Sequence, residues 1–306
     1  MATIIKSWAG AWYLQTKLNK DLLANFEPNL FFAKLGEKPM IGNGIGTISW
    51  AKPSKLSVTA ATATLTEWTT PTSTAFSYST ISTTPVQYGI YVEISDRLIR
   101  DAPTQILNNA AREVGSNMAR IIDQVIQTEV MAWTNVLYSD VSVNTVRTDI
   151  ATTDIMTSSL IKKSAIKLRS LDTPTIDWTY FLAVAHPFVI WDLVWEPNGA
   201  WIEFSKYTTP DKLFKWEIGA LSWIRFSESS NIQTFTSTTT VYPTLVMGKG
   251  AYGVAEWSSL EAIYQPLGSG NDPLKQRATV WSKIDFSAKR LQEDAMVRLE
   301  TAATAV

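Results

Sequence analysis

The sequence of 306 residues predicts an α+β fold. Three observations support this class: a Ser- and Thr-rich segment patterned as a long hairpin, one amphipathic helix of about 30 residues, and a C-terminal half in which short helices and strands alternate. Apolar residues make up 45% of the chain, which provides for a substantial core and argues against disorder.

The predicted hairpin occupies residues 47–84, where Ser and Thr fill 19 of 38 positions. The stretch LSVTAATATLTEW alternates apolar and polar residues as a solvent-exposed strand does, and Pro71 lies at the expected turn. Because an isolated two-stranded hairpin is marginally stable in water, we expect this one to lie on another surface. The alternative is a Thr-rich strand pair inside an ordinary β-sandwich. Glycines 42, 44 and 46 precede it without the pattern of a dinucleotide-binding loop and indicate a turned entry to a strand.

The next two elements have the clearest patterns in the chain. Apolar residues alternate strictly over 86–94 and predict a strand. Asp101 and Pro103 then begin a helix in which apolar residues recur at three- and four-residue steps from Ile106 through Val114 to Met131. The opposite face of this helix is polar and carries Arg112, Glu113, Asn117, Arg120, Asp123 and Gln127.

The C-terminal half predicts short elements in the following order. TTDIMTSSLIKKSAIKLRSL is a helix capped by Asp154 or a neighbouring Thr, with Lys162, Lys163, Lys167 and Arg169 on a solvated face. DWTYFLAVA is a buried strand, HPFVIWDLVW a helix with Pro187 in its first turn, and TPDKLFK a short helix that Pro210 begins. ALSWIRFSES and YPTLVMG are strands, PLGSGNDP is a mobile turn, and QRATVWSKIDFSAKR and AMVRLETA are final strands that pair antiparallel.

His186 is the sole histidine, so any Ser–His–Asp triad would have to use it. No G-x-S-x-G motif presents a serine, and His186 directly precedes Pro187 at a strand-to-helix corner, where a polar residue caps the first turn. We therefore expect a structural role for His186. Asp192 and Glu196 lie four residues apart on one helix face and could pair for acid–base work, although a solvated face is the stronger interpretation.

The composition excludes several functional classes. There is no cysteine, hence no disulfide or thiolate site, and one histidine does not make a histidine-based metal site. The formal net charge of -1 is unlike that of a dedicated nucleic-acid-binding protein. No secretory signal and no membrane span is evident, so we expect a soluble intracellular chain without cofactor. Thirteen tryptophans with only 18% charged residues fit a large core or large subunit contacts, and together they favour an oligomer.

This order of parts resembles the major capsid proteins of tailed bacteriophages with the Hong Kong 97-type fold. Several segments are closer still to the capsid family named after coliphage N-four. They are PVQYGIYVEISD, LAVAHPFVIWDL, KYTTPDKLFKWEIGALSWIRFSES, VYPTLVMGKGAYGVAEW and IYQPLGSGNDPLKQRATVWSKIDFSAKRLQEDAMVRLETA. The resemblance covers nearly the whole chain in the same order.

The resemblance implies an anatomy. Residues 1–45 form an N-terminal arm, 46–85 an extended loop that lies over a neighbouring subunit, 86–149 a peripheral domain with a spine helix at about 101–137, 150–275 an axial domain, and 276–306 C-terminal strands that return to the peripheral domain. No fused scaffolding domain is expected. Lys52 and Lys55 lie in the loop region, but without a recognisable Asn partner or catalytic Glu we predict no isopeptide cross-link.

The implied function is that of a non-enzymatic shell subunit, without catalytic, cofactor or metal-binding residues. It would assemble into hexamers and pentamers of an icosahedral phage head, the virion capsid, after synthesis in the host cytoplasm. Its expected partners are further copies, portal and scaffolding proteins, a decoration protein, and packaged double-stranded DNA contacted without sequence specificity, with no membrane. Two alternatives stay open: a serine-type hydrolase using His186, and a nanocompartment shell of the same fold that holds enzyme cargo.

Overall fold

In the computed structural model of the chain, the described residues are 20, 22, 31–39, 46–53, 64–65, 67–68, 73–101, 103–176, 179–196, 217–268 and 274–304. The strands are β1 Ile48–Pro53, β2 Tyr78–Thr83, β3 Val86–Ser95, β4 Val136–Tyr138, β5 Phe181–Ala185, β6 Glu217–Leu221, β7 Ile224–Glu228, β8 Phe235–Thr236, β9 Thr240–Met247, β10 Tyr252–Glu256, β11 Glu261–Gln265, β12 Arg277–Arg290 and β13 Met296–Thr301. The helices are α1 Asp96–Asp101, α2 Pro103–Met131, α3 Ser158–Ser170 and α4 Pro187–Val194, and 3-10 turns cover Phe32–Lys34, Arg147–Asp149 and Glu293–Ala295.

The predicted long helix is α2, which has 29 residues and begins at Pro103 as the sequence indicates. Its buried stripe follows the helical repeat and consists of Leu107, Ala111, Val114, Met118, Ile122, Ile126 and Val130. The helix ends at Met131, so the boundary expected at about 137 is wrong. The chain turns away here because the buried Trp133 donates its indole N–H to the Glu293 carbonyl (2.6 Å), and β4 follows at once.

A four-stranded sheet lies against α2. Its centre is β12, which pairs antiparallel with β3 along one edge and with β10 and β11 along the other. Strand β3 confirms the alternation predicted over 86–94, and Ile94 is its buried position. The inward side chains of β12 pack on α2, and they are Ala278, Val280, Ile284 and Phe286.

The second sheet has seven strands within the described residues, in the order β4-β13-β9-β5-β7-β6, with β8 also paired to β9. Side chains of α3 and α4 share one core cluster with one face of this sheet, including Phe181, Val246 and Leu299. The C-terminal half of α2 contributes to the core on the other face, with Val184 and Leu245. Helix α2 therefore joins both sheets, so most of the core depends on this one element.

Two strand predictions are wrong. The last two strands do not pair with each other: β12 lies in the four-stranded sheet beside α2, whereas β13 pairs with β4 and β9 in the seven-stranded sheet. ALSWIRFSES is also not one strand, because β6 and β7 form a hairpin around Ser222 and Trp223. Both turn residues have positive φ, 49° and 66°, which turn-forming Asn or Gly adopts far more readily. The sequence therefore carried no turn signal.

The helix caps follow the sequence in part. The N-cap of α3 is Thr157, whose hydroxyl accepts a hydrogen bond from the Leu160 N–H (3.2 Å), so the neighbouring threonine and not Asp154 caps this helix. The buried Asp154 instead accepts from Ser142 (2.6 Å) and Asn144 (3.0 Å) and fixes the preceding loop. The predictions at Pro71, at glycines 42 and 44, in TPDKLFK and over 269–273 lie outside the described residues.

Candidate assembly surface

The extended hairpin is fixed to the body at its base. Strands β1 and β2 pair antiparallel from Ile48↔Thr83 to Pro53↔Tyr78. Trp50 is buried, donates its indole N–H to the Glu37 carbonyl (3.3 Å), and lies against Gly253, where a Cβ would come within 2.4 Å of the indole. The hydroxyls of Thr83 and Ser287 lie 2.7 Å apart. A glycine on β10 thus makes room for the tryptophan that anchors β1.

Beyond this base the hairpin exposes its side chains. Tyr78, Ser79 and Thr80 of β2 are exposed, and Phe76 packs edge-to-face on Tyr78 with ring centroids 4.8 Å apart. Trp68, farther along, is 98% exposed. These aromatic rings therefore remain largely in water in the single chain, which is unfavourable for large apolar groups. Exposed aromatic surface of this kind is typical of protein–protein interaction sites.

The outer face of the four-stranded sheet is a second surface that leaves large apolar side chains partly in water, with Tyr91 exposed and Trp281 half-buried. The register places Ile263, Trp281 and Tyr91 side by side on neighbouring strands. Ion pairs flank this row, and they are Lys283–Glu261 (3.3 Å) and Arg277–Glu93 (3.4 Å). A shallow groove of about 500 Å³ runs here. An aromatic centre with a rim of paired charges has the composition of a protein–protein interface.

His186 has the structural role that the sequence predicts. It is the N-cap of α4, and its Nδ1 accepts a hydrogen bond from the Phe188 N–H (3.3 Å). Its ring packs edge-to-face on Phe188 and at a tilt against Tyr242, with centroids 4.8 and 4.9 Å away. Burial lowers the pKa of this imidazole, which favours the neutral form that the cap requires. Among the described residues, the hydrogen-bond and ring contacts of His186 are with Phe188 and Tyr242.

The solvated face predicted for Asp192 and Glu196 is wrong. Asp192 is buried and accepts a hydrogen bond from the Thr304 N–H (2.9 Å), which holds the C-terminal segment on α4. Glu196 accepts from the backbone N–H (3.0 Å) and the hydroxyl (3.2 Å) of Ser158, at the first turn of α3. Both carboxylates accept hydrogen bonds from backbone N–H groups. The apolar side of this helix, with Val189, Ile190 and Leu193, is buried.

Two polar residues of α2 are the important side chains that the sequence pattern missed. Asp123 and Gln127 were placed on the polar face, yet both are buried. Asp123 accepts hydrogen bonds from the N–H groups of Phe31 (3.1 Å) and Phe32 (3.2 Å) and so caps the 3-10 turn of the N-terminal segment. Gln127, one turn later, bonds the carbonyl of Asn231 and the N–H of Gln233, each at 2.8 Å.

The environment of Asp123 makes it titratable near neutral pH. Burial raises its pKa to about 6, against the lowering effect of the backbone N–H donors and of Lys34. Burial, followed by the charge of Asp123, also raises the pKa of Tyr252, whose hydroxyl donates to the Phe32 carbonyl (2.7 Å). A cavity of about 370 Å³ adjoins the carboxyl and is lined by Arg120, Glu228 and Ser229 among others. The N-terminal segment, α2 and the β7 end therefore meet at one polar junction.

An Arg–Glu–Arg triad, buried except for the half-buried Arg147, lies at the other end of α2. The fully buried Glu300 receives two 2.7 Å hydrogen bonds from Arg147 and an ion pair from Arg298 (2.8 Å). Arg298 also donates to the Met131 carbonyl at the end of α2, and the Arg147 guanidinium lies 3.6 Å from the centroid of Phe235. The hydrogen bond and the charge of Glu300 raise the pKa of Arg147, whereas burial lowers that of Arg298. The triad thus links α2, β13 and β8.

Within the described ranges, no cluster of three or more His, Cys, Asp or Glu side chains could hold a metal ion. No helix among these residues is long and apolar enough to span a bilayer. Among the described residues, two surfaces that leave large aromatic side chains in water are the hairpin and the outer face of the four-stranded sheet.

Sequence comparison and structure comparison give different results. No family model matches the sequence, and no curated protein matches it. Solved structures do match. The capsid protein of Ralstonia phage GP4 superposes with a TM-score of 0.67 at 14% identity, covering 86% of this chain and 85% of that one. The capsid protein of cyanophage P-SCSP1u gives 0.63 at 14% identity, covering 90% and 89%.

An encapsulin complex from Synechococcus elongatus is also similar, with a TM-score of 0.57 and 12% identity over 92% of this chain and 90% of that one. The three structures cover nearly the full length of both chains. The chain therefore has the fold of these shell proteins, and the predicted α+β class of the Hong Kong 97 type is confirmed.

Proposed function

We propose that this chain is the major capsid protein of a tailed bacteriophage and that it assembles as hexamers and pentamers into an icosahedral head. The observation that carries the proposal is full-length similarity of fold to phage capsid proteins, at TM-scores up to 0.67. The exposed aromatic hairpin gives independent support, because its side chains need a neighbour to leave water. Localisation in the virion head follows from the same proposal.

The mechanism we infer is association through shared surfaces that the single chain leaves open. The hairpin of one copy covers a neighbouring copy, and the apolar area that both then bury stabilises the ring. Mass action adds to this stability, since each assembled contact favours the folded chain. The family's Hong Kong 97-type anatomy supplies this role for residues 46–85.

The division into parts remains a proposal: arm 1–45, extended loop 46–85, peripheral domain 86–149, axial domain 150–275 and C-terminal strands 276–306. The sheets divide the chain differently at two places. Strands β10 and β11 lie in the four-stranded sheet with β3, and β13 lies in the seven-stranded sheet with β5. Portal and scaffolding proteins, a decoration protein and packaged double-stranded DNA are proposed partners. The N-four-type assignment rests on the sequence segments quoted above.

Electron microscopy and sedimentation of freshly purified protein test the proposal. We expect closed shells or capsomers, and a Trp68→Ser, Phe76→Ser, Tyr78→Ser variant should stay monomeric with an unchanged far-ultraviolet spectrum. The matched control is Val143→Ser, which removes an equally exposed apolar side chain from a different surface. A wild-type chain that stays monomeric over a wide range of concentration, salt and pH would overturn the proposal.

A second candidate, a nanocompartment shell that encloses enzyme cargo, is favoured by the similarity to the encapsulin complex. The phage structures superpose better, with TM-scores of 0.67 and 0.63 against 0.57, so we place the capsid first. The content of particles isolated from the natural source separates the two. Double-stranded DNA inside supports the head, and a folded cargo protein supports the nanocompartment.

The absence of an enzymatic function is likewise a proposal, supported by the position of His186. The His186→Gln variant keeps a hydrogen-bond acceptor near the cap and removes the imidazole, so shells should still form. A serine-type hydrolase would instead lose its activity in this variant. A hydrolytic activity of the wild type that disappears in His186→Gln would favour that alternative.

A further inference from the structure

Strand β3 leaves one of its two edges open. It pairs antiparallel with β12 along all ten of its residues, and within the described ranges no strand pairs with its other edge. Proteins usually protect a free edge by keeping the strand short or by placing a proline, a lysine or a bulge in it. The sequence VQYGIYVEIS contains neither proline nor lysine, and its register with β12 is unbroken. Strand β3 is therefore a template for a further strand.

The opposite edge of the same sheet is short or covered. Strands β10 and β11 lie there with five residues each. Beside β10, the Glu37 N–H donates to the Tyr252 carbonyl (2.9 Å), and the Glu37 carbonyl accepts from the Val254 N–H (3.0 Å). The N-terminal segment thus occupies part of that edge, whereas the edge of β3 has no such cover among the described residues.

Two hydrogen bonds define which backbone groups of β3 point to the open edge. The Asp96 N–H donates to the Gln276 carbonyl (2.9 Å), which continues the register, so the even-numbered residues of β3 exchange hydrogen bonds with β12. The carbonyl of Asp285, opposite Gln87, instead accepts from the Trp257 N–H on the far side of β12 (2.9 Å). The backbone N–H and C=O groups that point to the open edge are therefore those of Gln87, Gly89, Tyr91 and Glu93.

These outward backbone groups are accessible. All four residues are exposed, and at Gly89 the exposed group is the backbone itself. Among the described residues, no group outside the sheet bonds to their N–H groups. Every second residue of a strand repeats at about 6.8 Å, which is also the spacing at which an adjacent antiparallel strand presents its own groups. Main-chain hydrogen bonds of this kind supply the affinity when a strand is added to a sheet.

The side chains at this edge are apolar on both faces of the sheet. On the outer face, the row of Ile263, Trp281 and Tyr91 ends at the edge with Tyr91, which is 66% exposed. On the inner face, Ile90 and Val92 are partly buried against the core beside α2. A strand that paired here would cover apolar side chains on both faces in addition to the backbone groups.

We propose that the open edge of β3 pairs antiparallel with the same edge of a second copy, across a two-fold axis that passes beside Tyr91. With Tyr91 opposite the partner's Tyr91, Gly89 lies opposite the partner's Glu93, and each of these pairs exchanges two backbone hydrogen bonds. This register overlaps nearly the whole length of both strands. An axis at Glu93 would instead place two carboxylates opposite each other, which is unfavourable. Self-complementary two-fold contacts are the commonest way in which copies of one chain associate.

The symmetry of this pairing suits the wall of a shell. The two-fold axis is perpendicular to the paired sheets, so both α2 helices lie on one side and both rows of Tyr91, Trp281 and Ile263 lie on the other. A closed shell requires this arrangement, because every copy turns the same face outward. The proposal rests on the proposed shell function for this setting, and it names one contact between copies.

Single cysteines test the register, because the chain has no cysteine of its own. The Cα atoms of a hydrogen-bonded antiparallel pair are about 5.5 Å apart, a distance that a disulfide spans. After treatment with diamide, Tyr91→Cys in assembled particles should run at twice the mass of the chain on a non-reducing gel.

Two controls belong to this experiment. Glu93→Cys lies on the same strand but would be about 14 Å from its own copy in this register, so it should stay at the single mass. Val143→Cys, at a position that is 95% exposed, should do the same. Dimers of either control in the yield of Tyr91→Cys would overturn the proposal, as would a Tyr91→Cys chain that assembles but stays at the single mass.

Charge at position 89 is a second test. Gly89→Glu places a carboxylate opposite the partner's Glu93 at two symmetric points, so the protein concentration needed for assembly should rise about tenfold. The neutral control of similar size is Gly89→Gln, which should not raise it. A Cβ at Gly89 would come no closer than 3.4 Å to its neighbours, so the sheet accommodates both variants. Adding Glu93→Lys to Gly89→Glu should restore assembly, and equal weakening by Gly89→Glu and Gly89→Gln would contradict the register.

Amide exchange of the wild type tests the pairing without any variant. The N–H groups of Tyr88, Ile90 and Val92 are paired with β12 and should be protected in the free subunit and in particles alike. The outward N–H groups of β3 defined above should exchange fast in the free subunit and at least about tenfold more slowly in particles. Outward amides that stay fast in particles would overturn the proposal. Protection that appears only when another protein is added would assign the edge to a different occupant and overturn it as well.

Failure of this contact is distinguishable from failure of the shell function. Particles that form without a Tyr91→Cys cross-link refute only the pairing of β3. Cross-linked Tyr91→Cys dimers from a chain that never forms particles refute the shell function alone. A chain that stays monomeric under all conditions refutes both.

Discussion

The extended hairpin and the polar junctions of α2 differ in whether their side chains find partners within the single chain. At the polar junctions of α2, even charged residues are buried and paired: Asp123 of the helix accepts from the Phe31 and Phe32 N–H groups, and Glu300 of β13 pairs with two arginines near the end of the helix. Along β2, aromatic rings such as Tyr78 are exposed although they would gain from burial. The polar groups of the body are paired within one copy, whereas we expect the hairpin to bury its aromatic rings only against another copy.

The largest effect is expected at the buried triad. Glu300→Gln leaves the buried Arg298 and the half-buried Arg147 without their carboxylate, which should lower the free energy of unfolding of the free subunit by about 3 kcal/mol. Urea denaturation at low protein concentration measures it. The control is Glu93→Gln, since its pair with Arg277 is exposed on both sides and should contribute less than about 1 kcal/mol. Equal losses in the two variants would contradict the distinction between body and surface.

The anchor of the hairpin comes next. Trp50→Ala removes a buried indole and its hydrogen bond to the Glu37 carbonyl, so the free energy of unfolding should fall by about 3 kcal/mol. Trp68→Ala is the matched control, because this tryptophan is 98% exposed and its loss should change stability by less than about 0.5 kcal/mol. The same denaturation experiment compares them. If Trp68→Ala lost as much stability as Trp50→Ala, the boundary between body and hairpin would not lie between these two residues.

A smaller and pH-dependent effect is expected at Asp123. Its pKa is raised to about 6 from an ordinary 3.8, so its protonated form is favoured in the folded state. The stabilisation is then complete below pH 3.8 and is lost as pH rises through 6, with a span on the order of 2–3 kcal/mol. The measurement is the difference in unfolding free energy between wild type and Asp123→Asn from pH 4 to 7.5.

This difference should move in favour of the wild type as the pH falls from 7 to 4. The comparison with Asp123→Asn is necessary because Asp140 and Asp154, whose pKa values are lowered, contribute in the opposite direction and lose stability on acidification. They are unchanged in both proteins, so their contributions cancel. A difference that stays constant with pH would show that Asp123 is not buried at its junction with Phe31 and Phe32.

The sequence predicted elements whose signals are local. The strict alternation before Ile94, the apolar repeat of α2 and the His186–Pro187 corner each depend on neighbours within a few residues, and the structure contains all three. Asp123 and Gln127 were misplaced because a helix that contacts two sheets and an N-terminal segment has more than one buried side. A single-face periodicity therefore assigned their polar side chains to water.

The remaining errors have the same origin. Asp192 and Glu196 were placed in water because carboxylates usually are, yet their acceptors serve N–H groups at Thr304 and Ser158, far away in sequence. The β6–β7 hairpin was missed because its turn uses Ser222 and Trp223 rather than Asn and Gly. Both outcomes depend on tertiary contacts that no window of the sequence contains. The contacts of the hairpin would come from another copy, so they cannot be predicted from the tertiary structure of one chain either.

The smallest effect on the free subunit, and the one that separates the two regions most sharply, concerns the distal hairpin. Tyr78→Ser should change the unfolding free energy by less than about 0.5 kcal/mol, because the ring is already exposed, but it should weaken assembly.

Amide exchange should follow the same boundary between the base of the hairpin and its distal part. The amides of the pairs Ile48↔Thr83 and Trp50↔Ile81, next to the anchor, should be protected, whereas those of Lys52, Tyr78 and Ser79 should exchange fast in the free subunit and slowly in shells. Strong protection at Ser79 in the free subunit would mean that the hairpin is stable without a neighbour, and its dependence on assembly would be refuted.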